Sequence, residues 1–224
     1  MTPPIDSFKD QYHFLSNFHV GRNPIWVEDP PRDVIAFPSV EHAFQAMKTS
    51  DPFERRRFAK IPTPGRAKRQ GQAVALRPDW EQVKNDIMLY LLRQKFTNDN
   101  RLALQLLLTG DAELIEGNTW DDTYWGVCRG VGQNWLGRLL MQVRAEVFDK
   151  VRGMMKIPGR CGACPACITV TLTQRAIYAE LNPVGTGAND QTVAMWNHVL
   201  RDNPCTTPDT TPGPPSGTGT VALS

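Results

Sequence analysis

The apolar positions of this chain change period near residue 38. Before it, Ile25-Trp26-Val27 and Val34-Ile35-Ala36-Phe37 are strand-like runs around the turn-rich segment Glu28-Asp29-Pro30-Pro31-Arg32-Asp33, which predicts a short hairpin between Pro24 and Pro38. After it the spacing becomes helical. Ser39 is placed to cap a helix whose Val40, Ala43, Phe44 and Met47 share one stripe. Further helices are expected from near Asp79, with Val83, Ile87 and Leu91 inward, and from near Asp99, with Leu102 and Leu106 inward and Gly110 at C′. A last one is expected from near Asn134, with Leu136, Leu139, Leu140, Val143 and Val147 on one side.

Past about residue 150 the pattern dissolves. Pro158-Gly159 is followed by three bunched cysteines and one helix-like stretch from Asp190 (Val193, Trp196, Val199, Leu200). From Thr206 the chain is Thr, Pro, Gly and Ser with too little apolar surface to offset its ordering entropy. Three segments are expected: a domain over 1–150, a Cys-containing appendage over 151–205 and a flexible tail over 206–224. At 224 residues and 41% hydrophobic content the chain can bury a core. Its net charge of +2 excludes a global polyelectrolyte. No apolar run approaches the roughly 18–20 residues that span a bilayer, and the start Met1-Thr2-Pro3-Pro4-Ile5-Asp6 is unlike a signal peptide. A soluble, cytoplasmic protein with no membrane partner is the expectation, and no feature calls for a protein partner.

Cys161, Cys164 and Cys167 at x2 spacing suggest a structural zinc with Cys205 or His198 as fourth ligand, although free thiols and disulfides remain open. Within the first domain, Glu41, Gln45 and Lys48 fall on one side of the Ser39 helix, at i, i+4 and i+7. That row either looks into a cleft or is an ordinary exposed face whose charges complement the helix dipole. His42 is read as a packing or capping residue. Asp122 precedes Trp125-Gly126, and Gly126, Gly130, Gly132 and Gly137 lead toward Asn134, where free N–H groups of a helix start would favour a phosphate. The run is neither a P-loop nor a dinucleotide fingerprint, and a plain glycine-rich surface loop is the simpler reading. Trp125, Trp80, Phe14 and Phe18 could stack on a heterocycle or pack in the core. Arg55, Arg56, Arg57, Lys60, Arg66, Lys68 and Arg69 could follow a nucleic-acid backbone or support a solvated face.

In combination these segments resemble the NADAR superfamily, the YbiA-like N-glycosidases. The matching runs are Phe14-Leu15-Ser16-Asn17-Phe18, Pro38 through Lys48, Gly71 with Leu76-Arg77-Pro78-Asp79-Trp80, Met88 through Lys95-Phe96, and Thr109-Gly110-Asp111 with Leu114-Ile115-Glu116. They continue with Asp122-Thr123-Tyr124-Trp125-Gly126 and Gly132 through Arg144, collinear from about Phe8 to Phe148. The resemblance implies a mostly α (α+β), compact multihelical fold with a small β-hairpin. It also implies hydrolysis of an N-glycosyl bond at ribose C1′, in an ADP-ribosyl adduct such as ADP-ribosylated guanine in nucleic acid or in a phosphorylated ribosylamino metabolite. By carry-over Glu41, Lys48 and Asp122 become catalytic candidates, and Ser16, Asn17, Phe18, Trp125, Gly126 and Asn134 substrate-binding candidates, with no cofactor for catalysis. Lys48 would hold a phosphate or ribose oxygen, or attack an opened ribose as an amine. Where the family has Trp-Gly-x-Gly this chain has Cys128, whose side chain could narrow the mouth of the site. The alternative is a non-catalytic module that binds ADP-ribose or nucleic acid.

Overall fold

The structure, a computed structural model, describes residues 2–29 and 33–153. The expected hairpin is there: β1 (Ile25–Asp29) pairs antiparallel with β2 (Asp33–Phe37), with Ile25 opposite Phe37 and Val27 opposite Ile35. These four side chains are buried, as a period of two with one apolar face requires. Asp29, at the tip and 2% exposed, is held by Arg55 at 2.9 Å and Arg56 at 3.3 Å, both from α2 (Pro52–Ala59). Arg57 pairs with Glu54. The arginines of α2 therefore fasten the hairpin and the helix itself.

α1 (Val40–Ala46) begins at the expected cap, Ser39, whose hydroxyl accepts the His42 N–H. Its whole length is buried, including Glu41, His42 and Gln45. His42 is spent on structure: Nδ1 meets the Ser39 hydroxyl at 2.7 Å and Nε2 meets the Ile61 carbonyl at 3.1 Å. The hydrophobic pattern alone does not predict α2 or α3 (Pro64–Gly71), which bury little beyond Phe58, Ala67 and Gly71. Both start with an Asp or Thr cap followed by proline, Asp51-Pro52 and Thr63-Pro64, and this local signal suffices for a short helix on a ready surface. α1 packs on both, and Gly71 lies so near Gln45 that a Cβ there would fall 2.0 Å from Gln45 Oε1.

α4 (Trp80–Thr97), α5 (Asn100–Leu108) and α6 (Trp135–Gly153) follow the predicted starts, and Gly110 has the left-handed φ of 61° that suits its place beyond α5. α4 is the central element, set against α1, α5 and α6 through Met88, Leu91, Leu92 and Phe96. Two features had no pattern to announce them: a 3-10 helix over Asp10–Leu15, and a parallel two-residue ladder of β3 (Gly117–Asn118) with β4 (Val127–Cys128). Together the elements make the mostly helical α+β arrangement that was expected. Among the described residues, no helix is long and apolar enough to cross a membrane. The expected appendage and tail, and with them Cys161, Cys164, Cys167, His198 and Cys205, lie outside the described residues.

Candidate active site

A cavity of about 450 Å³ opens where α1, α3, α4, the 119–126 loop and the chain after the 3-10 helix meet. Glu41 and Gln45 enter it from α1, Lys48 from just past its end, Lys68 from α3, and Trp80, Lys84 and Met88 from α4. Ser16, Asn17 and Phe18 form one wall, with Glu116, Trp120, Asp122 and Trp125 facing from the other. The polar row of α1 thus looks into a cleft, because a helix buried on all sides leaves it no solvent to face.

Three carboxyl groups share this space. Glu41 is 5% exposed, its Oε1 accepts the Gln45 amide at 2.8 Å, and burial pushes its carboxyl up from the usual range. Glu116 is raised to about 7, by burial first and by the neighbouring Asp122 and Glu41 charges, and its Oε2 has no hydrogen-bond partner among the described residues. Asp122 is fixed by its own turn, where Oδ1 accepts the Tyr124 N–H at 3.2 Å and the Trp125 N–H at 2.9 Å. Lys48 donates to the Gly71 carbonyl at 3.4 Å and lies over the Trp80 ring at 5.9 Å. Burial lowers its ammonium from the usual range, while Glu41 opposes that shift. Asn17 presents a buried Oδ1 with no partner among the described residues, and its backbone carbonyl receives the Glu41 N–H at 3.0 Å. An orphaned buried acceptor beside a cavity suits a ligand hydroxyl.

Seven of the residues proposed from sequence line the cavity: Glu41, Lys48, Asp122, Ser16, Asn17, Phe18 and Trp125. Trp80, read as core, is both buried and part of the lining, while Phe14 is core alone. Gly126 and Asn134 are not in the lining and act behind it. Asn134 donates its amide to the Leu114 carbonyl at 2.8 Å and accepts the Glu116 N–H at 3.1 Å, so it clamps the segment just before β3 that carries Glu116. The phosphate cradle expected at the start of α6 is not formed. The N–H groups of Gln133, Asn134, Trp135 and Leu136 are taken by the carbonyls of Thr123, Gly126, Tyr124 and Trp125. The glycines permit this backbone-to-backbone packing rather than an approach to ligand: a Cβ on Gly126 would lie 2.2 Å from the Glu116 carbonyl oxygen. Gly126→Ala should therefore cost roughly 1–3 kcal/mol by overpacking and push Glu116 out of place. Urea unfolding together with activity would check it, and unchanged values for both would refute it. Cys128, expected to narrow the mouth, is instead buried with Sγ directed at Asp121 Oδ1, 3.5 Å away.

Pattern reading assigned no chemistry to Glu116 or Trp120, and to Lys68 only a share in a basic stretch open to a nucleic-acid backbone or a solvated face. Glu116 stood in a matched run without a role, and Lys68 was one basic residue among seven. Behind the Ser16–Phe18 wall, Lys95 donates to the Ser16 carbonyl at 2.8 Å, and burial pushes its ammonium down to about 7. An unfolded lysine keeps its proton to about pH 10.4. Between these limits the unfolded chain binds the proton that the folded chain has released, so Lys95 makes stability rise with pH across that window. In Lys95→Met this contribution vanishes, and the stability difference between wild type and variant should move in favour of wild type from neutral pH to about pH 9.5. A difference independent of pH in urea titrations would defeat the assignment.

Acidic, basic and aromatic groups converge on this one cavity. The NADAR domain model matches residues 6–148. The N-glycosidase YbiA of Shigella flexneri serotype 5b is 38% identical over 144 residues, covering 63% of this chain and 85% of that protein. The solution structure of Escherichia coli YbiA superposes with a TM-score of 0.60 at 33% identity, covering 71% of this chain and 93% of that one. The riboflavin biosynthesis protein PYRR of Zea mays is 34% identical over 155 residues, 63% of this chain but 24% of the plant protein. The chain belongs to the NADAR domain family, an N-glycosidase family of hydrolases acting on N-glycosyl bonds.

Proposed function

We propose that this protein hydrolyses the C–N bond at ribose C1′ of a phosphorylated ribosyl substrate, either an ADP-ribosyl adduct, such as that of guanine in nucleic acid, or a phosphorylated ribosylamino metabolite. The observation that carries the reading is the meeting of Glu41, Glu116 and Asp122 with Lys48 and Lys68 in one aromatic-walled cavity. Breaking the bond places positive charge on the ribose ring and negative charge on the departing nitrogen. Glu116, held near 7 by burial, is the group best matched to give that nitrogen a proton at neutral pH. Asp122, locked by two backbone N–H groups, supplies the fixed negative charge for the oxocarbenium-like ring. A water then adds at C1′ and returns its proton to the Glu116 carboxylate, so the product is a ribose bearing a new hydroxyl and the enzyme is restored. Lys48 and Lys68 offset the substrate's phosphate charge, and the orphaned Asn17 oxygen takes a ribose hydroxyl.

A module that only binds ADP-ribose fits less well, since it has no use for a carboxyl held near 7 beside a second, fixed carboxylate, the pair that acid-assisted cleavage requires. The deciding experiment incubates the protein with ADP-ribosylated guanosine in an oligonucleotide and, separately, with a ribosylamino pyrimidine phosphate, and measures the released sugar phosphate. Release from at least one substrate by wild type, lost in Glu116→Gln and Asp122→Ala, is expected. Tight binding of ADP-ribose without any release would overturn the reading in favour of the binding module.

A further inference from the structure

Lys95, on α4, does not line the cavity, and the mechanism above gives it no work. Its side chain is buried, with the ammonium donating to the Ser16 carbonyl at 2.8 Å and lying 5.0 Å from the centroid of the Phe96 ring. His19 and Glu116 also interact with its charge. A carbonyl is a weak counterpart for a buried ammonium, and burial holds the group down at about 7. The charge therefore costs the fold, and methionine would fill much the same space without that cost.

What methionine would not do is hold Ser16. The 3-10 helix ends there and the chain turns. The Ser16 N–H bonds back to the His13 carbonyl at 3.1 Å, and the Ser16 carbonyl receives the His19 N–H at 3.1 Å beside the Lys95 ammonium. The next carbonyl, that of Asn17, receives the Glu41 N–H at 3.0 Å from the first turn of α1. Successive carbonyls are thus pinned, one from α4 and the other from α1. Each carbonyl fixes the plane of its peptide group, and the planes on either side of Asn17 set its φ and ψ. With both set, the Cα–Cβ bond has one direction, and it sends the buried side chain to the cavity wall. There the amide nitrogen meets Met88 Sδ at 3.5 Å, while Oδ1 has no partner among the described residues.

We propose that Lys95 is a positioning residue of this site: from behind the wall it holds the Ser16–Asn17 peptide plane and so aims Asn17 Oδ1 at the ribose, without touching the ligand. This rests on the reading of Asn17 as the acceptor of a ribose hydroxyl and adds the group that keeps it in place. The His19 N–H still satisfies the Ser16 carbonyl when Lys95 is replaced, so the loss is one of aim rather than of fold.

Calorimetry on the full chain, with ribose 5-phosphate as the probe, tests it on wild type, Lys95→Met, Asn17→Ala and the double variant. Lys95→Met is expected to unfold in one cooperative transition and to bind the probe about tenfold more weakly, the scale of one lost hydrogen bond. Asn17→Ala should lose at least as much. The double variant should lose no more than Asn17→Ala, because a residue that acts through Asn17 then has nothing left to aim. A cation that merely attracts the phosphate would instead add its loss to that of Asn17→Ala, and such additivity would overturn the proposal. So would unchanged affinity in either single variant, or a failure of Lys95→Met to fold. If wild type does not bind ribose 5-phosphate, the phosphorylated-ribosyl reading falls and the proposal with it. Non-additive losses in a chain that releases nothing from any N-ribosyl substrate uphold Lys95 as the positioner of Asn17 while overturning hydrolysis, so the two fail separately.

Discussion

Glu116→Gln is expected to lower kcat by roughly 10²–10⁴-fold, the usual contribution of a positioned general acid. Glutamine keeps the volume of the side chain and its place just before β3, where the residue 116 N–H is held by Asn134 and its carbonyl by the Val127 N–H. Only the transferable proton is removed. The pH profile separates this from a structural fault. An acid must be protonated to act, and burial with the Asp122 and Glu41 charges holds Glu116 at about 7. Wild-type kcat/KM should therefore fall as pH rises through that value. The residual rate of the variant should show no such limb. A variant as active as wild type, or one that keeps the same alkaline limb, would remove Glu116 from the proton-transfer step.

That residue also shows where sequence reading stops. Elements resting on strong period or cap signals were legible: the hairpin, α1 with its Ser39 cap, and the starts of α4, α5 and α6. Glu41 and Lys48 were legible as a pair because their spacing of seven fits one helix face, although α1 ends at Ala46 and Lys48 follows just past it. Glu116 and Trp120 share one irregular stretch while Lys68 lies on α3, and the two meet only through tertiary packing, with no helical or strand period to relate them. The glycine run misled for a related reason. Its positions require close approach, but a sequence does not say whether a ligand or the chain itself approaches, and here Gly126, Gly132 and Gly137 meet backbone carbonyls of Glu116, Gly126 and Leu114. The orphan N–H groups that helix starts usually offer were claimed by the very loop that delivers the chain to α6. Lys68 was hidden differently: in a stretch whose arginines serve ion pairs on α2, its single inward turn on α3 carries no mark of its own.

Asp122 allows the charge of the proposed catalytic carboxylate to be separated from its structural duty. Its Oδ1 holds the Tyr124 and Trp125 N–H groups, and the Trp125 ring meets Phe44 edge-on at 5.2 Å, so the turn links the cavity wall to α1. Asparagine offers the same acceptor oxygen without the charge. Asp122→Asn should thus retain the fold and the ligand affinity of the aromatic walls, while kcat drops by about 10²–10³-fold, the scale on which enzymes lose rate when one preorganised electrostatic partner of the transition state is removed. Asp122→Ala should lose the same rate and, in addition, about 1–3 kcal/mol of stability, because two N–H groups are left without their acceptor. The contrast between the variants is the measurement: melting curves set them apart and single-turnover rates set them level. If the asparagine variant turned over at the wild-type rate, the negative charge at this corner would have no part in opening the glycosidic bond, and stabilisation of the ribose ring would pass to Glu41, whose raised carboxyl would then have to ionise in the complex.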